Sequence, residues 1–148
     1  MSIQINKIHN FHQLPTEQAQ AVIYDQIVPA CESKGICLSR YGNHSGQGAI
    51  LDISRYTREK GLQALFNVDR IKTVYLQFDS LVQPTIQYQA NSYGLKHEIE
   101  KVQNEFLTPG DLIIAMLLHG YKARFGKNGN PSNINCEFKV KWVKPKSD

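Results

Sequence analysis

Apolar positions recur at three- and four-residue steps early in the chain. Ala19, Val22, Ile23 and Ile27, with Ala30 beyond, form a stripe that predicts a core-facing helix. Pro15-Thr16-Glu17 marks its start, because proline suits the first helical position and an early carboxylate complements the helix dipole. Pro29 predicts a kink or an end, and Gly35 is a second stop signal. Gly35 to Gly48 then reads as a loop carrying four glycines. A second helix is expected from Ser54 or Arg55 to Phe66, weakened at Gly61 by about 1 kcal/mol relative to alanine.

The pattern changes after Asp69. From Ile71 to Phe78, Val74, Leu76 and Phe78 alternate with Thr73, Tyr75 and Gln77, which predicts a strand. Pro84 breaks the run, and Ile86, Tyr88 and Ala90 alternate with Gln87 and Gln89. The two segments predict an antiparallel pair with a polar, glutamine-rich face across 71–90.

Helical spacing returns at Tyr93, Leu95, Ile99, Val102 and Phe106, with Asn91 or Ser92 as the cap. The next helix has a clearer start. Thr108-Pro109-Gly110-Asp111 supplies a capping threonine, a first-position proline and a carboxylate three residues after the cap. Its apolar run, Leu112 to Leu118, covers two turns and suits a buried helix, and Gly120 closes it.

Strict alternation marks the end of the chain. Ile134, Cys136, Phe138, Val140 and Trp142 fall on one face of a strand, and Asn135, Glu137, Lys139 and Lys141 fall on the other. Tyr121, Ala123 and Phe125 alternate likewise with Lys122 and Arg124. The turn formers of residues 126–133 lie between the two. A hairpin with an apolar side and a cationic side follows. The whole reads as a single α+β domain over residues 1–148, with about four helices on one face of an antiparallel sheet and a basic β-hairpin at its C-terminal end.

Composition narrows the class without naming a function. The 148 residues are 41% hydrophobic and 20% charged, ordinary values for a globular chain and not for a disordered one. The longest apolar run is far short of a membrane span, and the N-terminus lacks the pattern of a signal peptide, so a cytoplasmic protein is expected. The three cysteines lack zinc-site spacing and read as reduced structural thiols. Net charge is +4, but it is unevenly placed. Seven basic residues fall between Tyr121 and Ser147 with only Glu137 against them, whereas residues 1–120 hold ten basic and eleven acidic side chains.

Candidate chemistry is thin elsewhere. Gly42 to Gly48 lacks the Gly-Lys-Ser/Thr ending of a phosphate loop, and no dinucleotide fingerprint follows an early strand. Tyr93, His97 and Glu100 share a helical face, where a His–Glu pair can act as an acid–base unit or simply lie on a solvated surface. Catalytic residues, metal ligands and cofactors are therefore expected to be absent. The basic ribbon offers the strongest candidate. Lys122, Arg124, Lys127, Lys139, Lys141 and Lys144 are expected to contact a partner, since cations on a two-stranded ribbon can hold phosphates. Lysines on a strand also serve simply to protect a sheet edge. Arg40, His44 and His97 are secondary candidates. No aromatic side chain is interleaved on the cationic face of the two strands, which disfavours a stacking platform.

Ser92-Tyr93-Gly94-Leu95-Lys96-His97-Glu98-Ile99-Glu100, then Gly110-Asp111-Leu112-Ile113-Ile114-Ala115-Met116 and Gly120-Tyr121, resemble small proteins of phages and other mobile elements. Those carry an S-Y-x-x-K-H-x-x-E stretch, an N-G-x-x-I-x-A helix and an aromatic-rich strand. The resemblance spans about residues 91–140 and departs at Pro109, where that group has Asn. It implies an accessory protein that binds nucleic acid or a host nucleoprotein, including a defence complex, and it transfers no catalytic residue. The reading from the sequence is a non-enzymatic module binding through the ribbon. The alternative is a protein–protein inhibitor or adaptor that uses the Gly35–Gly48 loop and the polar face of 71–90.

Overall fold

The computed structural model describes residues 2–39, 42–43, 66–126 and 135–143. Pro29 sits within a helix and does not end it. α1 (Thr16–Ala21) runs into a π-helical stretch, Val22–Ile27, and continues as α2 (Val28–Glu32). Proline has no N–H to donate and its ring crowds the carbonyl four residues back. The wider turn ahead of it shifts carbonyl pairing one residue onward, which accommodates both effects. Gly35, at φ +77°, then stops the run. The Ile36 amide donates to the Cys31 carbonyl and the Gly35 amide to the Glu32 carbonyl, each at 2.9 Å, so the last carbonyls are satisfied.

The expected strand over Ile71 to Phe78 is a helix, α3 (Val68–Leu81). The alternation seen over those residues is part of a longer period. Val68, Ile71, Val74, Tyr75, Phe78 and Leu81 are buried at three- and four-residue steps, while Leu76, which a strand would have buried beside Val74, is 54% exposed. Asn67 caps the helix by accepting from the Arg70 amide at 3.0 Å. The predicted antiparallel pair and its continuous glutamine-rich face are therefore absent. Gln77 instead bonds Gln103 at 2.7 Å, and Gln83, Gln87 and Gln89 are exposed beyond the helix end.

α4 (Ser92–Gln103) and α5 (Pro109–Leu118) start where expected. Asn91 caps the first by accepting from the Gly94 amide at 2.7 Å, and Thr108 caps the second by accepting from the Asp111 amide at 3.3 Å. The buried stripe of α4 is Ser92, Leu95, Lys96 and Ile99, so Tyr93 and Val102 face outward and Phe106 lies exposed beyond the helix. α5 is buried from Gly110 to Leu118, as a helix apolar on every side from Leu112 onward must be, and packs against α3, α4 and the π-helical stretch. Asp111 serves more than its own helix: its carboxylate accepts from the Asn67 amide at 3.0 Å, tying the start of α5 to the start of α3.

The strands complete the α+β fold. β1 (Ser2–Ile3), β6 (Ala123–Arg124), β7 (Glu137–Phe138) and β5 (Ala90–Asn91) form an antiparallel sheet in the order β1-β6-β7-β5. The two strands of the predicted hairpin pair antiparallel, with Ala123 opposite Phe138 and Arg124 opposite Glu137, and the predicted turn between them lies outside the described residues but for Gly126. Beyond a bend at Lys139, β8 (Val140–Trp142) pairs with β4 (Val82–Pro84), an edge position that tolerates Pro84. A further pair, β2 (Leu38–Ser39) with β3 (Gly42–Asn43), follows the first helical run. Cys136, Phe138, Val140, Ala123 and Phe125 join the helices in one hydrophobic core. The predicted helix from residue 54 or 55 lies outside the described residues, except for Phe66 at the threshold of α3.

Candidate nucleic-acid interface

The pleat separates the two faces of the hairpin as the alternation requires. Phe138 and Val140 are fully buried, whereas Lys122, Arg124, Glu137 and Lys139 are part-exposed and Lys141 is exposed. The Lys139 amide donates to the Lys122 carbonyl at 3.1 Å, so these two lysines sit side by side across the strands. Lys141 follows two residues along, opposite Gln83. Among the described residues none of these three lysines has a carboxylate partner.

Arg124 differs from its neighbours. Its guanidinium donates through Nε and Nη2 to Glu137 Oε1, at 3.2 and 2.9 Å, so part of its charge is already met. It also lies 4.1 Å from the ring centre of Tyr88, with Lys139 Nζ 5.2 Å from the same ring. The sequence placed no aromatic on this face. The structure supplies one from another segment, because residues 85–89 loop out between β4 and β5 along the edge of β7–β8. The Thr85 amide donates to the Lys139 carbonyl at 2.9 Å and the Gln89 amide to the Phe138 carbonyl at 3.2 Å, pinning both ends of that loop. Tyr88 falls over the cations, and Ile86 at the tip is 90% exposed.

An open cleft of about 340 Å³ lies at the Arg124 end, lined by Asn91, Tyr93, Arg124, Gly126, Asn135, Cys136 and Glu137. Ser92 holds its wall together. The Ser92 hydroxyl donates to Asn135 Oδ1 at 3.0 Å and accepts from the Cys136 amide at 3.0 Å. Tyr93, 56% exposed, meets His97 edge to face with ring centres 4.3 Å apart.

His97 lies against Tyr93 at the edge of the cleft, and its acid–base partner is engaged elsewhere. Glu100 takes Lys96 Nζ at 3.1 Å on both oxygens and the Leu107 amide at 2.8 Å, with His97 Nδ1 at 3.5 Å. Burial pushes the Glu100 carboxyl up, but these donors outweigh it and hold it below the usual carboxylate range. The group fastens α4 to the turn before α5. Lys127, Lys144, Arg40 and His44 lie outside the described residues, as does half of the Gly35–Gly48 loop.

The other titratable groups sit in the core. Burial, helped by Glu32 and Cys37, pushes the Cys31 thiol up to about 12, and burial raises Cys136 as well, so both are protonated and poor nucleophiles. No disulfide joins Cys31, Cys37 and Cys136. His119 is buried among Tyr75, Phe78 and Tyr121, and its Nε2–H donates to the Tyr75 carbonyl at 3.1 Å.

Comparison with protein-family models, curated proteins and solved structures gives no match. The reading of the interface rests on its own chemistry.

Proposed function

We infer that this chain is a binding module that takes nucleic acid or a nucleoprotein on the cationic face of its sheet. The observation that carries the reading is the row formed by Lys122, Lys139 and Lys141, none of them paired to a carboxylate among the described residues, with Arg124 and Lys139 gathered around Tyr88. Cations without protein counter-charges, fixed on a rigid sheet, provide the phosphate contacts that dominate nucleic-acid affinity. An accessory role in a phage or mobile element, acting on a host defence complex, is the context that the resemblance over about residues 91–140 favours. Changing Lys122, Lys139 and Lys141 together to glutamine tests the reading. Binding to generic DNA and RNA should be lost while the circular dichroism spectrum stays that of the parent. A folded variant that binds as the parent does makes the row an ordinary solvated surface.

A further inference from the structure

The breadth of the same face bears on which kind of nucleic acid it would accept. A free two-stranded ribbon fits a major groove about 12 Å wide. Here β7 is an inner strand, with β6 and β1 on one side and β5 on the other. Four strands at about 4.8 Å spacing span about 14 Å between their outer axes, before side chains are added. The exposed loop of residues 85–89 widens the face further at the β8 end. This surface is a platform, too broad to enter the groove.

Its side chains are those a single strand needs. Bases freed from a duplex stack on aromatic rings or guanidinium planes and present their edges to amide and carboxylate groups. The cleft presents the half-exposed Tyr93 ring and the Arg124 guanidinium, with Asn91, Asn135 and Glu137, each already hydrogen-bonded within the protein, forming its walls. Its 340 Å³ lies within the roughly 300–1,000 Å³ typical of small-ligand pockets and admits one base. From there the cations run away along the strands, a two-residue step of about 6.6 Å from Arg124 to the Lys122–Lys139 pair and then, past the bend at Lys139, on to Lys141. Tyr88 stands beside the first of these steps.

Resting on the nucleic-acid reading above, we propose that this face is a track for single-stranded nucleic acid: one base sits in the cleft against Tyr93, and the phosphates that follow lie on Lys122, Lys139 and Lys141. Tyr88 is the second stacking surface, held in place by the cations around it.

The test measures fluorescence anisotropy of labelled oligo(dT), oligo(U) and a dA·dT duplex of equal length, titrated with the full chain. At least one single strand should bind more tightly than the duplex, and the tighter of the two identifies the strand as DNA or RNA. Tyr93→Ala should weaken single-strand binding about tenfold and leave its salt dependence unchanged, because stacking releases no counterions. Tyr93→Phe should bind like the parent. Tyr93→Leu, which keeps bulk without an aromatic face, should behave like the alanine variant and guards against misfolding of the latter. Duplex bound as tightly as both single strands, or single-strand binding unchanged in both Tyr93→Ala and Tyr93→Leu, overturns the track and leaves a phosphate-binding surface standing. A parent chain that binds none of the three probes overturns both readings.

Discussion

Ser92 and Cys136 join the first turn of α4 to the inner strand of the sheet by exchanging two hydrogen bonds. The Ser92 amide donates to the Cys136 carbonyl at 2.7 Å, and the Cys136 amide donates to the Ser92 hydroxyl at 3.0 Å. Both residues are buried, so neither group has water as a substitute. Ser92→Ala leaves the Cys136 amide without its partner and should cost about 1–3 kcal/mol in denaturant unfolding. The same change should loosen the Asn135 wall of the cleft, which the Ser92 hydroxyl also holds.

Glu100 and His97 separate a structural role from a catalytic one. Lys96 is 9% exposed and depends on the Glu100 carboxylate for its counter-charge. Glu100→Gln should destabilise the fold by about 1.5–3 kcal/mol, the range for hydrogen bonds to a charged group. His97→Gln should shift the unfolding midpoint by less than about 0.5 kcal/mol, as exposed substitutions do. Equal effects from the two variants would place His97 within the structural group.

His119 should make stability depend on pH. Burial and the nearby Lys7 ammonium hold its pKa below the ordinary 6.5, against the opposing pull of Asp79 and the Tyr75 carbonyl. Below about pH 6.5 the unfolded chain takes up a proton on this residue that the folded chain resists. The contribution is therefore complete above pH 6.5 and is lost as pH falls from there toward the folded value. Denaturant midpoints at about pH 7.5 and about pH 5.5 should differ more in the parent than in His119→Leu. An equal difference in both chains would assign the dependence to other groups.

The parts of the fold legible in the sequence are those with local signals. Thr108 and Asn91 announce their helices because a capping side chain acts within three residues of itself. The hairpin is legible because alternation from Cys136 to Trp142 maps directly onto the pleat. The strand expected over Ile71 to Phe78 failed because the six alternating residues from Thr73 to Phe78 also fit a helix face, and only the flanking Val68 and Leu81 reveal the longer period. The site divides in the same way. Lysine positions follow from the pleat, whereas Tyr88 and Tyr93 reach the face through a loop excursion and a helix start, contacts between segments that no local pattern encodes. Arg124 looked like one more free cation until the pairing register set Glu137 opposite it.

The salt dependence of binding is the decisive measurement for the lysine row. Each phosphate contact on a single strand contributes about 0.7 to the slope of log affinity against log salt. Measured on the tighter of the oligo(dT) and oligo(U) probes, the parent slope should fall by about 0.7 for each lysine when Lys122, Lys139 and Lys141 are changed singly to glutamine. A slope that is unchanged in all three variants, with affinity intact, would contradict the assignment of this face to nucleic acid.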